Sequence, residues 1–329
     1  MLRILPILCM LVWFSVFLRA QTYTKAQTEK RVLELLRAYD PIGYEIVTSA
    51  TSQKSKYDFS YCNGGTITVS HSGSILAYVD TYTEKGNLED ISTVVHELTH
   101  AYVGHPYDEM VKNRLCNDKD YHVYPLNNQL VLVPVTQTFP SKMLASYISP
   151  DKRTFRYNDY IIGTSSTQSE GVYGLLDEWH AYYRGAFTWF QLRNYYLNQI
   201  KNPQDWIDYF SNVYELTAYY EFKYFILTYL LYAKKNQPRI YEQIISNESF
   251  KKVFNYVDTE YGRLISDYIR FRDSLLTELK NSGVRVLEVE GNICIVSRCT
   301  RDIQKNEDVT RLQAELNKPE YLEMMRLLK

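Results

Sequence analysis

Apolar positions recur along this chain in two rhythms, and the switch between them divides it. After a polar start at Gln21, Val32, Leu33, Leu35 and Leu36 fall at helical spacing within Thr24 to Tyr39, and Asp40-Pro41 reads as a stop. β-Branched and apolar residues then run from Thr66 to Val69 and from Ser74 to Val79, bounded by Gly64-Gly65 and Ser72-Gly73, which predicts two short strands. A helix follows, with Asn87 as its expected N-cap and its expected end at Gly104, just before Pro106. Beyond it the pattern loosens into a strand over Gln129 to Val135, turns at Pro140 and Pro150, and a polar stretch from Gly163 that could wall a cleft. From Val172 to about Lys280 the spacing is helical again, broken at Asn202-Pro203, Pro238 and Asn247, which predicts a bundle. Val284 to Val289 and Ile293 to Val296 predict a hairpin around Gly291-Asn292, and Val309 to Leu328 a terminal amphipathic helix. The sum is an α+β fold, with a β-layer ahead of a mainly helical second half.

The first twenty residues alter this picture: Arg3, an apolar run from Ile4 to Leu18, and Arg19-Ala20 have the order of a secretory signal peptide. The run is short for a bilayer span, so no stable membrane insertion is expected after cleavage, and a secreted or periplasmic location is. Cleavage takes away two arginines and no acids, leaving 35 basic against 38 acidic residues, a net charge of −3. That balance excludes bulk attraction to nucleic acid. Cys9 leaves with the signal, and the remaining Cys62, Cys116, Cys294 and Cys299 are an even set that favours disulfides in an exported chain. Cys294 and Cys299 can close a small loop, leaving Cys62 to Cys116, although spacing alone keeps the other two connectivities open. The 31 tyrosines lie largely in helical patterns such as Tyr214 to Tyr232, where packing with a wetted hydroxyl is the ordinary role.

Candidate chemistry concentrates in His96-Glu97-Leu98-Thr99-His100. Residues four apart share a helix face, so both imidazoles can reach one ion about 2.0 to 2.1 Å from each ligating nitrogen. Glu97 is offset around the helix, beside the ion instead of on it, where a carboxylate can serve as general base. A catalytic zinc needs a third protein ligand. A metzincin would place Gly and His three and six residues after the second His, but Gly104 and His105 stand four and five after His100, so that extension fails. Asp177-Glu178, in an otherwise apolar and aromatic helical stretch, would be costly to bury without a cation or a hydrogen-bond network. Glu178 is therefore the leading third ligand, on a face shared with Ala181, Tyr182 and Gly185; His180 and Glu170 are weaker alternatives.

The segments Val94 to Val103 and the dozen residues around Glu178 resemble a gluzincin, the thermolysin-like class of zinc peptidases. The resemblance implies a small β-sheet region packed on a zincin active-site helix, a helical C-terminal bundle, and a zinc ion held between them. It implies His96, His100 and Glu178 as zinc ligands and Glu97 as catalytic base. Tyr182, one turn beyond Glu178, is the choice for steadying the oxyanion, with Tyr183, His180 and Arg184 nearby. Where such enzymes often carry an Asp four residues after the ligating Glu, this chain has Tyr182, so the group that orients a zinc-bound His must come from elsewhere, Asp177 or a backbone carbonyl. The expected organisation is a signal peptide over 1–20, a metallopeptidase domain over 21–280, and a C-terminal hairpin and helix over 281–329. Within the domain, 21–110 carries the strands, 111–170 the irregular cleft segment and 171–280 the helices. The expected function is a secreted peptidase acting on peptides or proteins. Hydrolysis of another amide, or a surface binding protein with a structural or vestigial zinc site, are the alternatives.

Overall fold

A computed structural model of the chain describes residues 22–52, 56–60, 66–70, 73–114, 121–127, 129–163 and 166–329. The signal-peptide segment and both Cys62 and Cys116 lie outside the described residues. Helix α1 (Lys25–Tyr39) opens with a capping box: the Gln27 N–H donates to Thr24 Oγ1 at 3.3 Å and the Thr24 N–H to Gln27 Oε1 at 2.8 Å. Asp40-Pro41 ends α1 as expected but also starts a second helix, α2 (Pro41–Ser52). Pro suits the first helical position, and Asp40 Oδ1 accepts the Gly43 N–H at 3.0 Å, so one dipeptide is both stop and cap.

Strands β1 (Lys56–Ser60) and β2 (Thr66–Ser70) form an antiparallel hairpin with Lys56 opposite Ser70. The expected strand over Ser74 to Val79 is instead a 3-10 turn, Ile75–Tyr78, that buries Ile75 and Val79. A four-residue apolar run does not distinguish the two by period alone. The central helix α3 (Glu84–Arg114) starts earlier and ends later than expected. Thr83, not Asn87, caps it: its Oγ1 accepts the Gly86 N–H at 3.0 Å, while Asn87 is fully buried in the next turn. Gly104 and Pro106 do not end the helix, because each weakens a helix (about 1 and about 3 kcal/mol) without forbidding it. From residue 103 onward only the backbone of α3 is described.

Strands β3 (Tyr121–Leu126) and β4 (Gln129–Pro134) make a second antiparallel hairpin, which supplies the partner that the Gln129 strand needed. After 3-10 turns and a π-helical turn at Asn158–Ile162 come α4 (Ser166–Ser169), α5 (Val172–Gln191), α6 (Arg193–Gln199) and α7 (Trp206–Ser211). The bundle continues with α8 (Tyr214–Asn236), α9 (Pro238–Ile245) and α10 (Glu248–Asn281), the last capped by Asn247. The late hairpin is a three-stranded meander, β5 (Val286–Val289), β6 (Asn292–Ile295) and β7 (Arg298–Arg301). Its first turn places Glu290 and Gly291 at φ 48° and 77°, the left-handed pair that a tight hairpin turn requires. Cys294 and Cys299 face each other across β6 and β7 and form a disulfide, a bond that persists in oxidising compartments. The expected single terminal helix is two, α11 (Glu307–Leu316) and α12 (Pro319–Leu328), because Pro319 forces Lys318 into an extended conformation.

Two cores hold this α+β arrangement. Val32, Leu35, Ile46 and Val47 of α1 and α2 pack on Ile91, Val94, Val95 and Leu98 of α3. Those four α3 residues are wholly buried, each contributing about 1.5–3 kcal/mol. The second core fills the space between α5, α8 and α10, with Trp179, Tyr183, Phe225, Phe254 and Tyr261 at its centre. The join is α3 against α5, the most extensive helix pair among the described residues. Among the described residues no helix is long and apolar enough to cross a membrane.

Candidate metal centre

The α3 residues Ile91, Val94, Val95 and Leu98 face the first core, which turns Ser92, His96 and His100 toward α5. There α5 has Gly185, where a Cβ would lie 2.8 Å from the Ser92 carbonyl oxygen and 3.4 Å from His96 Cβ. Only a glycine allows this approach. The helices run antiparallel, since Ser92 meets Gly185 at one end and His100 meets Asp177 at the other.

Across this contact three donors converge. His96 Nε2 and His100 Nε2 are 3.3 Å apart, and Glu178 Oε2 stands 3.6 Å from the first and 3.5 Å from the second. An ion with bonds of about 2.0–2.1 Å in tetrahedral geometry needs donors about 3.3–3.4 Å apart, so the three atoms already outline one face of such a tetrahedron. Glu178 Oε2 is buried with no hydrogen-bond partner, an oxygen left bare toward that common point. His96, His100 and Glu178 can therefore hold a metal ion.

His100 is oriented from behind. Asp177 Oδ2 lies 2.7 Å from its Nδ1, which keeps a proton there and aims the Nε2 lone pair into the site. Burial opposes a charge on His100, but Asp177 and Glu178 outweigh it and raise its pKa well above the usual imidazole value. Burial likewise acts against the two carboxylates, yet the histidines hold Asp177 and Glu178 below the usual carboxylate range. Glu97 sits at the rim, its side chain 39% exposed and its Oε1 4.0 Å from His96 Nε2.

The other residues singled out in the sequence have separate places. The Tyr182 ring meets His96 edge-on, 4.4 Å between centroids, and its hydroxyl pairs with that of Tyr160 at 3.2 Å. Tyr183 is buried among Phe187, Tyr256 and Tyr261. Arg184 pairs with Asp40 at 3.4 Å, both about 1% exposed. His180 is fully buried with its Nε2 3.3 Å from the Pro125 carbonyl, and burial and then Arg184 lower its pKa to about 3. Glu170 pairs with His122 at 3.4 Å instead of joining the triad. The side chain of His105 lies outside the described residues.

Sequence reasoning missed His122 and Tyr160. His122 enters on β3, and Tyr160 on the π-helical turn, where it feels the Glu178 charge. Neither carries a local signal, since each reaches the centre only through tertiary packing. No family model matches the chain, and no curated protein or solved structure does either.

Proposed function

We propose that this chain is an exported zinc-dependent peptidase of the gluzincin, thermolysin-like kind. The observation that carries the reading is the convergence of His96 Nε2, His100 Nε2 and Glu178 Oε2 at 3.3–3.6 Å from one another, with Glu97 at the open rim. Two imidazoles and one carboxylate suit zinc, and three protein donors leave a tetrahedral ion one open position. Zinc there supplies Lewis acidity, which brings the pKa of water toward about 7 and polarises a carbonyl.

The chain's own residues do the rest. Glu97 takes a proton from the attacking water and returns it to the amine nitrogen that leaves as the peptide bond breaks. Asp177 fixes the tautomer of neutral His100 with its proton on Nδ1, so that Nε2 is the nitrogen that can donate to the ion. Tyr182, with its hydroxyl linked to Tyr160, is the candidate for steadying the oxyanion. A structural zinc site would favour a fourth protein ligand, but among the described residues His180 turns to the Pro125 carbonyl and Glu170 to His122.

Glu97→Gln tests the mechanism, because it removes the base and leaves both imidazoles and Glu178 in place. Peptide turnover should fall by about 10²- to 10⁴-fold while zinc content per chain stays at the wild-type level. Undiminished turnover in that variant would sink the assignment.

A further inference from the structure

Tyr182 lies between two groups. Its ring meets that of His96 with 4.4 Å between centroids, and the carbon of the Arg156 guanidinium also stands 4.4 Å from the Tyr182 ring centroid. We propose that Arg156 is a positioning residue of the reaction, holding the Tyr182 hydroxyl and its partner Tyr160 beside the metal centre; the proposal rests on the peptidase reading above, with Tyr182 as its oxyanion group.

Arg156 is buried, and three residues on one face of α8 hold it. Its Nη1 donates to Glu221 Oε2 at 2.5 Å and to Thr217 Oγ1 at 3.0 Å, and its Nη2 to the Tyr214 carbonyl oxygen at 3.2 Å. Glu221 Oε1 also accepts the Arg156 backbone N–H at 3.3 Å, so main chain and side chain are tied to one carboxylate. From there the chain turns toward the site. The Arg156 carbonyl oxygen accepts the Tyr160 N–H at 3.0 Å, and the Tyr160 hydroxyl meets that of Tyr182 at 3.2 Å. One turn of backbone thus reaches Tyr182 twice, with a cation on its ring and a hydroxyl on its hydroxyl. Phe222, next to Glu221, packs on both tyrosines, 4.9 Å from the Tyr160 ring and 5.3 Å from the Tyr182 ring. Stability alone does not call for this arrangement, because apolar residues of similar volume commonly hold a core as well as a buried ion pair does. What the pair supplies is direction: a planar fork is fixed more tightly than a flexible ammonium, and a ring stacked on it is fixed in turn. A hydroxyl that must meet an oxyanion depends on such placement, where an error of about 1 Å costs about 100-fold.

The test uses the full-length, zinc-loaded chain and compares kcat, KM and zinc content for wild type, Tyr182→Phe, Arg156→Met/Glu221→Gln and the three changes combined. The paired change removes both buried charges together, and the Gln carbonyl can still accept the backbone N–H of residue 156, so no charge is left unpaired. It should lower kcat by about 10- to 100-fold while KM and zinc content hold. Tyr182→Phe should lower kcat by about 10²- to 10³-fold. Adding the paired change to it should cost nothing more, because the hydroxyl to be positioned is already gone. Arg156→Lys, which keeps the charge but not the fork, should fall between wild type and the paired variant. An unchanged kcat in the paired variant, losses that multiply in the combination, or a fall in zinc content overturns the positioning role. Full turnover in Tyr182→Phe overturns it as well but leaves zinc and Glu97 in place, whereas undiminished turnover in Glu97→Gln brings down the peptidase reading first.

Discussion

Asp40 and Glu178 are both buried carboxylates set against α5, and they are treated in opposite ways. Asp40 is surrounded by donors: the Gly43 N–H at 3.0 Å, the Thr188 hydroxyl at 2.6 Å and the Arg184 guanidinium at 3.4 Å. Glu178 has two histidines within 3.6 Å but leaves Oε2 without a hydrogen bond. Burying an ion is expensive either way, and the protein compensates Asp40 with its own donors. At Glu178 the compensation is incomplete and directed at one point. A saturated carboxylate ties α1 and α2 to α5; an unsaturated one facing two imidazoles can seat a cation.

Exchanging the two losses is the sharpest way to break that contrast. Glu178→Ala should weaken zinc by more than the about 100-fold that loss of a supporting hydrogen bond costs, and should leave the metal-free fold intact. A full zinc complement in that variant, measured by elemental analysis, would remove Glu178 from the centre. Asp40→Ala should do the reverse, keeping the metal but losing about 3–5 kcal/mol in urea unfolding, because Arg184 is left buried and unpaired. Farther from both sites, Cys294→Ser opens a loop with a sequence separation of 5 and should lower stability by about 2 kcal/mol without touching zinc affinity.

The smallest and most diagnostic effect is the pH profile of the metal-free protein. His100 has a raised pKa, so its contribution is complete below the usual imidazole value of about 6.5 and is lost as pH rises through the raised one. Asp177 and Glu178 have the opposite sign: their contribution is present above about pH 4 and lost on acidification. Stability should therefore peak between those limits. Zinc affinity should climb with pH across the upper one, as the ion replaces the proton on His100. A profile unchanged by His100→Ala would show that these charges are not coupled.

What the sequence revealed follows from distance along the chain. His96 and His100 are four residues apart, and Asp177-Glu178 stood out as adjacent charges in an apolar run, so local pattern sufficed to draw attention to them. Asp177 was legible as a possible support for a histidine but not as the partner of His100 in particular, because that contact joins two helices. His122 and Tyr160 look in sequence like any strand histidine and any loop tyrosine; their place beside the centre comes from neighbours on other elements. The same limit explains the fold. The helices α1 and α10 were visible, whereas Ser74 to Val79 was read as a strand because so short an apolar run does not separate a strand from a 3-10 turn, and α2 was hidden behind a Pro read only as a stop.

Gly185 carries one more implication, for how closely the three donors can gather. An alanine there would strengthen α5 as an isolated helix by about 1 kcal/mol. It would also collide with the Ser92 carbonyl and hold α5 off, and a stiff helix would pass that displacement to Glu178, seven residues away. Donors spread in this way no longer meet at about 2.0–2.1 Å from one point, so two imidazoles and a carboxylate would hold an ion less tightly. The missing methyl thus acts as a calliper, setting the spacing of the three donors by the closeness of two helices.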